Sequence, residues 1–195
     1  MAILPAEINV FPADLLERLP GPALLDQDTS GDEFQDRWWA VHTKPRQEKS
    51  VARCLLDLSI PFYLPVIAKS SMVAGRRRVA HMPLFDSYLF VYGSPQQRID
   101  VLNTRRCVQA IEVSSRHDMC ADLRNVDRLI RSGLPLTPEA RLQPGQRVRV
   151  KSGALMGVEG WVLSRRGGDR LMIAVDFIQQ GASILIQDFQ LERVG

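Results

Sequence analysis

WWAVHTKPRQEKSVARCLLDL, residues 38–58, sets a strand pattern directly against a helix pattern. Trp38 to Thr43 is dense in aromatic and β-branched residues and predicts a strand. Pro45 suits the first turn of a helix, with Thr43 as its cap. From there to Leu58, the residues Val51, Cys54, Leu55 and Leu58 recur at i, i+3, i+4 and i+7 and form one apolar stripe. Arg46, Lys49 and Arg53 fall on the opposite side, so the helix turns its back to a core and presents a basic front. A merely solvated front explains those cations equally well.

Outward from this stretch the alternation continues. Pro61 and Pro65 bracket a short Phe62–Leu64 strand, expected at a sheet edge because proline cannot donate to a ladder. Gly75 between Val73 and Val79 predicts a hairpin with Arg76, Arg77 and Arg78 at its tip. Ser87–Tyr92 and Val108–Val113 read as strands, Pro95–Leu102 and Ala121–Ile130 as helices. The fold class expected is α+β, beginning with an α/β sandwich over residues 36–132. A Gly/Pro-rich linker follows over 133–141. From residue 142 to 195 the helical period vanishes. Five short, glycine-punctuated strands there (147–151, 158–164, 171–175, 183–187 and one near Leu191) predict a small β-barrel. Residues 1–35, with four prolines and an acidic run, are expected to be a mostly disordered extension, with a short helix around Ala13–Leu19 as one option.

The net charge of +3 hides an asymmetry: residues 1–35 carry one Arg against seven acids, leaving nine excess cations on the rest of the chain. That balance hints at a polyanionic neighbour. Cys54, Cys107 and Cys120 are odd in number and widely spaced, which fits neither a disulfide scaffold nor a zinc site and favours a reducing cytoplasm. No apolar run approaches the roughly 18 residues of a membrane helix, and no secretory leader is expected. His42, His81 and His117 have no nucleophile or metal partner at a recognisable spacing. Phosphate-loop, GxSxG and HExxH motifs are missing as well, so neither catalysis nor a cofactor is expected.

Three segments carry a family resemblance. WWAVHTKPRQEK (Trp38 to Lys49) resembles the opening strand and helix of the NusG family. PLFDSYLFV (Pro83 to Val91) is similar to that family's PLFPGYLFV signature. PGQRVRVKSGALMGVEGWV (Pro144 to Val162) resembles a KOW motif. The resemblance implies an N-terminal NGN domain over 36–132 joined to an SH3-like five-stranded KOW barrel over 142–195. It implies a cytoplasmic, monomeric factor that binds the clamp helices of the largest RNA polymerase subunit, suppresses pausing and recruits partners through the KOW domain. In relatives those partners include Rho or a small-subunit ribosomal protein.

Carried over position by position, His42, Phe85, Tyr88 and Phe90 would face the clamp helices, and Tyr88 and Phe90 share a face by alternation. The residue types are those of ordinary core as well. Arg98 and Asp100 lie in the segment that approaches the opposite jaw of the polymerase. Lys44, Arg46, Arg53, Asn103, Arg105 and Arg106 are the candidates for non-template or upstream DNA. The tip arginines Arg76 to Arg78 suit upstream DNA or a solvated turn in equal measure. In the KOW motif Leu155, Met156 and Val158 are the candidate partner-binding residues, while Gly153, Gly157 and Gly160 allow tight turns or close backbone approach.

Asp86-Ser87 stands where the signature has Pro-Gly, and Cys107 occupies a usual glycine position. With the acidic extension, these departures resemble a specialised, RfaH-like, operon-directed paralogue. The alternatives are a housekeeping NusG with Rho or ribosome coupling, and a ribosome-associated KOW protein that binds RNA. The last of these predicts a far more basic chain.

Overall fold

The computed structural model describes residues 8–19, 36–73, 75–139, 141, 145–165, 168–186 and 190–194. Contacts divide the chain into two compact units, Met1–Arg116 and His117–Gly195.

The first unit contains β1 (Val10–Phe11), α1 (Leu15–Arg18), β2 (Arg37–Thr43), α2 (Glu48–Asp57), β3 (Phe62–Tyr63), β4 (Val66–Val73), β5 (Arg76–Pro83), β6 (Tyr88–Gly93), α3 (Pro95–Asn103) and β7 (Cys107–Glu112). Five of these strands form one sheet in the order β1-β3-β6-β2-β7, every pairing antiparallel. Alternation sorts the two faces. Trp39, Val41, Leu89, Val91, Phe62 and Ala110 form a buried cluster with Val51, Ala52 and Leu55 of α2 and Val101 of α3. The opposite face carries Trp38, Ala40, Tyr63 and Phe90, all buried. α3 opens with a capping box: the Gln97 amide donates to Ser94 Oγ, and the Ser94 amide donates to Gln97 Oε1.

Several expectations need correction here. Residues 8–19 of the extension are structured: α1 falls within the helix allowed around Ala13–Leu19, β1 pairs with β3, and Leu15, Leu16 and Leu19 are buried. Enough apolar side chain lies in this short run to pin it to the unit despite its prolines. The acidic run from Asp26 to Glu33 lies outside the described residues. β3 is consequently not an edge strand; β1 takes the edge. Pro61 and Pro65 flank β3 rather than interrupt it, so no ladder donor is lost. α2 starts at Glu48, not at Pro45, because Arg46 adopts φ +61°, and Thr43 Oγ1 donates to the Lys44 carbonyl instead of capping a helix.

The second unit contains nearly all of α4 (Arg116–Arg131), then β8 (Thr137–Glu139), β9 (Gln146–Val150), β10 (Glu159–Arg165), β11 (Gly168–Val175), a 3-10 turn (Asp176–Ile178), β12 (Gln180–Leu185) and β13 (Leu191–Arg193). Its sheet order is β13-β9-β10-β11-β12-β8, six strands where five were expected. The extra strand comes from the expected linker: Thr137, Pro138 and Glu139 pair with Ser183, Ala182 and Gly181. Glu139 Oε1 accepts from the Ser183 hydroxyl at 2.5 Å, which satisfies both buried polar groups. Along β11 every residue from Leu171 to Val175 is buried, as in a strand covered on both faces. α4 is tied to this unit by Asp122, whose Oδ2 accepts from the Asp176 amide at 3.0 Å.

The KOW-like loop between β9 and β10 bears out the glycine expectation. Gly153 and Gly157 have φ +85° and +83°. A Cβ on Gly160 would stand 2.4 Å from the Met172 carbonyl oxygen, so only glycine lets β10 and β11 approach this closely.

Candidate functional site

β2 and β6 bring His42 and Tyr88 directly opposite each other in register. Their rings stack, with centroids 5.0 Å apart and planes 21° from parallel, and both side chains are half-buried. Phe85 and Phe90 extend the aromatic surface inward as an edge-to-face pair 6.1 Å apart, both essentially without exposure. Of the four aromatic candidates, His42 and Tyr88 reach solvent, while Phe85 and Phe90 are buried.

The loop that presents Tyr88 is held by a residue the sequence did not single out. Ser87 has φ +62°, the left-handed region where the family signature has glycine. Its amide donates to Glu48 Oε1 at 2.7 Å, and its carbonyl accepts from the Thr43 amide at 2.8 Å. Glu48 is buried despite being a carboxylic acid in the first turn of α2. The available signal was a serine in a glycine position: it needs a compensating partner, and an acid at a helix start is a natural one.

A second cluster forms at the end of β2. Pairing slips between His42, opposite Gln109, and Thr43, opposite Cys107. Beyond the slip the Lys44 amide donates to the Arg106 carbonyl at 2.8 Å, and Arg106 Nη1 donates to Gln47 Oε1 at 2.8 Å. These bonds lay the β2–α2 and α3–β7 loops side by side. Lys44, Arg46, Arg105 and Arg106 are exposed there, and Arg46 and Arg105 both hold positive φ, +61° and +57°. Strained non-glycine backbone of this kind clusters at functional surfaces. Arg53 is exposed farther along α2, about 9 Å of helix beyond Gln47.

Asn103 is also exposed, but it lines a groove of about 420 Å³ together with Cys54, Asp57, Leu58, Asp100 and Thr104. Asp100 therefore belongs to an acidic-rimmed groove between α2 and α3. Arg98 turns inward: its Nε donates to the Ala110 carbonyl at 2.9 Å, and its guanidinium lies 5.4 Å from the Trp39 ring centroid.

In the second unit Leu155 and Val158 are fully buried, whereas Met156 is 68% exposed. Only Met156 of the three is presented outward. The cations of β9 are engaged: Arg147 and Arg149 pair with Glu159, and Arg149 and Lys151 with Glu192. Among the described residues no group of three or more His, Cys, Asp or Glu is placed to hold a metal ion. Nor is any helix among them long and apolar enough to cross a membrane.

The fold is a mixed α/β unit with an aromatic sheet face, followed by a small KOW-like β unit. Residues 36–129 match the family described as "Transcription termination factor nusG". That match is consistent with a NusG-family transcription factor, and the family is known to interact with RNA polymerase. A solved structure described as "Domain interaction in Thermotoga maritima NusG" is 14% identical, with TM-score 0.47, and covers 83% of this chain and 98% of its own. Comparison with curated proteins gives no match. The family match runs to residue 129, through most of α4, whereas contacts group α4 with the second unit from His117 onward.

Proposed function

We propose that this chain is an elongation and antitermination factor that docks on the clamp helices of the largest RNA polymerase subunit through the sheet face ending in His42 and Tyr88. The observation that carries the proposal is their stacked, half-exposed ring pair, with the buried Phe90 on the same face of β6 as Tyr88. A helical coiled coil offers a convex apolar surface, and a rigid aromatic pair with polar tips is the anchor such a surface takes. Lys44, Arg46, Asn103, Arg105 and Arg106, with Arg53 beside them, supply the contact to the displaced DNA strand. Charged tips meet phosphates there, and Asn103 or Arg106 meets a base. Arg98 serves the opposite jaw indirectly, by fixing the α3–β7 junction, and Asp100 from the neighbouring groove.

The Asp86-Ser87 departure favours a specialised, RfaH-like paralogue. The loop keeps the geometry glycine would give but holds it with Glu48, so it has been rebuilt around a different residue. The KOW unit recruits its partner, Rho or a small-subunit ribosomal protein, around Met156, with Leu155 and Val158 as the core beneath it.

The test is capture of RNA polymerase by the full chain and by a His42→Ala/Tyr88→Ala variant, both checked for folding by circular dichroism. Phe90 is left intact because truncating a fully buried ring opens a cavity and confounds folding with binding. Loss of two anchoring rings is expected to weaken capture by about 30-fold or more, the effect of removing a hot spot of about 2 kcal/mol. Folded wild-type protein that captures no polymerase, even on assembled elongation complexes, ends the proposal.

A further inference from the structure

We propose that the β4–β5 ribbon is a second, separate nucleic-acid element that engages the phosphates of duplex DNA through Lys69, Arg76, Arg77 and Arg78. It goes beyond the docking function above and requires no polymerase. β4 and β5 pair with each other alone, from Val66–Pro83 out to Val73–Arg76, as a two-stranded sheet apart from the five-stranded one. Leu84 closes its base by donating to the Pro65 carbonyl at 2.8 Å, and Gly75 turns the tip at φ +72°. From Ala68 to Met82 every side chain described is exposed. Eight residues per strand reach about 26 Å.

Three observations select the partner. First, no Asp or Glu occurs between Asp57 and Asp86, and the ribbon's only charges are those four cations. Second, those cations hold no hydrogen bond or ion pair among the described residues, unlike Arg147, Arg149 and Lys151, which are all neutralised in place. Third, the register spreads them over both faces. Lys69, Arg78 and Arg76 share one face, and Arg77 lies on the other beside Met72, with Val79 and His81 following.

An isolated hairpin is marginal in water, and this one exposes Met72, Val79 and Met82 besides. A narrow, acid-free ribbon with cations on both faces fits a groove walled by phosphates. The major groove of B-DNA is wide enough for a two-stranded ribbon, and β-ribbon proteins use this mode. Sequence-independent phosphate contact is what four cations without base-reading amides provide.

The experiment is fluorescence anisotropy of a labelled duplex titrated with the full chain between about 50 and 200 mM salt. Wild-type protein is expected to bind, and an R76Q/R77Q/R78Q variant to show a log K against log salt slope shallower by about 2.7, the loss of three phosphate contacts. An R76K/R77K/R78K variant is expected to keep the wild-type slope, since point charge suffices. Polymerase capture is expected to persist in both variants. Duplex binding that is missing in the wild type, unchanged in the glutamine variant, lost equally in the lysine variant, or matched by a single strand of the same length would each overturn the assignment.

Discussion

Asp122→Asn is expected to stabilise the attachment of α4 at neutral and alkaline pH. Asp122 sits half-buried on α4, accepting the Asp176 amide, and desolvation raises its pKa from 3.8 to about 7. The hydrogen bond from Asp176 and the charge of Arg147 oppose that rise; the charges of Asp176 and Asp118 reinforce it. The folded unit thus holds a proton that the unfolded chain releases. Stability from this group is full below pH 3.8, declines as pH rises, and reaches its lowest level above about pH 7. At 1.36 kcal/mol per unit, the raised pKa corresponds to a penalty of roughly 4 kcal/mol at pH 8 and less than half of that at pH 5. Asparagine keeps an oxygen for the Asp176 amide and removes the charge. Amide hydrogen exchange over residues 116–131 should therefore show stronger protection in the variant at pH 8, with the advantage shrinking by roughly 2–3 kcal/mol toward pH 5. A variant less protected at pH 8, or an advantage that does not change with pH, refutes the reasoning: the carboxylate would then be the favoured form at this position.

Substitutions at three further positions test how the signature loop and the β unit are built. Glu48→Ala strands the Ser87 amide and is expected to cost about 1–3 kcal/mol in denaturant unfolding, while Glu48→Gln keeps an acceptor and should cost clearly less; equal losses would mean the bond contributes nothing. Ser87→Gly relieves left-handed strain of about 1–2 kcal/mol and adds about 0.5–1 kcal/mol of chain entropy cost, so a small net stabilisation is expected, and a destabilised variant would show that the serine side chain matters in itself. Gly160→Ala places a methyl against the Met172 carbonyl and is expected to cost about 1–3 kcal/mol; a neutral outcome in thermal melting would mean that β10 and β11 separate freely.

Legibility followed the range of the forces involved. The Trp38–Thr43 strand, the Ser87–Tyr92 strand and the helix at Pro95 were readable because each is dictated by neighbours within a few residues: alternation in the strands, a capping box and an N-terminal proline in the helix. β1 and β8 were not, because two or three residues of strand have no period of their own and exist only through partners more than forty residues away, Phe62–Tyr63 for one and Gly181–Ser183 for the other. The start of α2 failed for a related reason. Pro45 is a good first-turn residue, but Arg46 is pulled into the left-handed region where the two basic loops meet, a tertiary demand that propensity does not contain.

The candidate site divides along the same line. Alternation placed Tyr88 and Phe90 on one face and the family resemblance added His42, yet alternation alone is silent on depth. Only the register, with Tyr63 and Ala40 flanking Phe90, separates the buried support from the exposed pair. Leu155 and Val158 repeat the case. They sit either side of Met156 and Gly157 in one turn, and the turn's hydrogen bonds, Gly157 to Val150 and Val158 to Leu155, draw them inward and leave Met156 outside. Among the aromatic and KOW candidates, only His42, Tyr88 and Met156 reach solvent. Phe85, Phe90, Leu155 and Val158 are buried packing, and this is why the tests above alter His42, Tyr88 and the ribbon arginines while leaving those four in place.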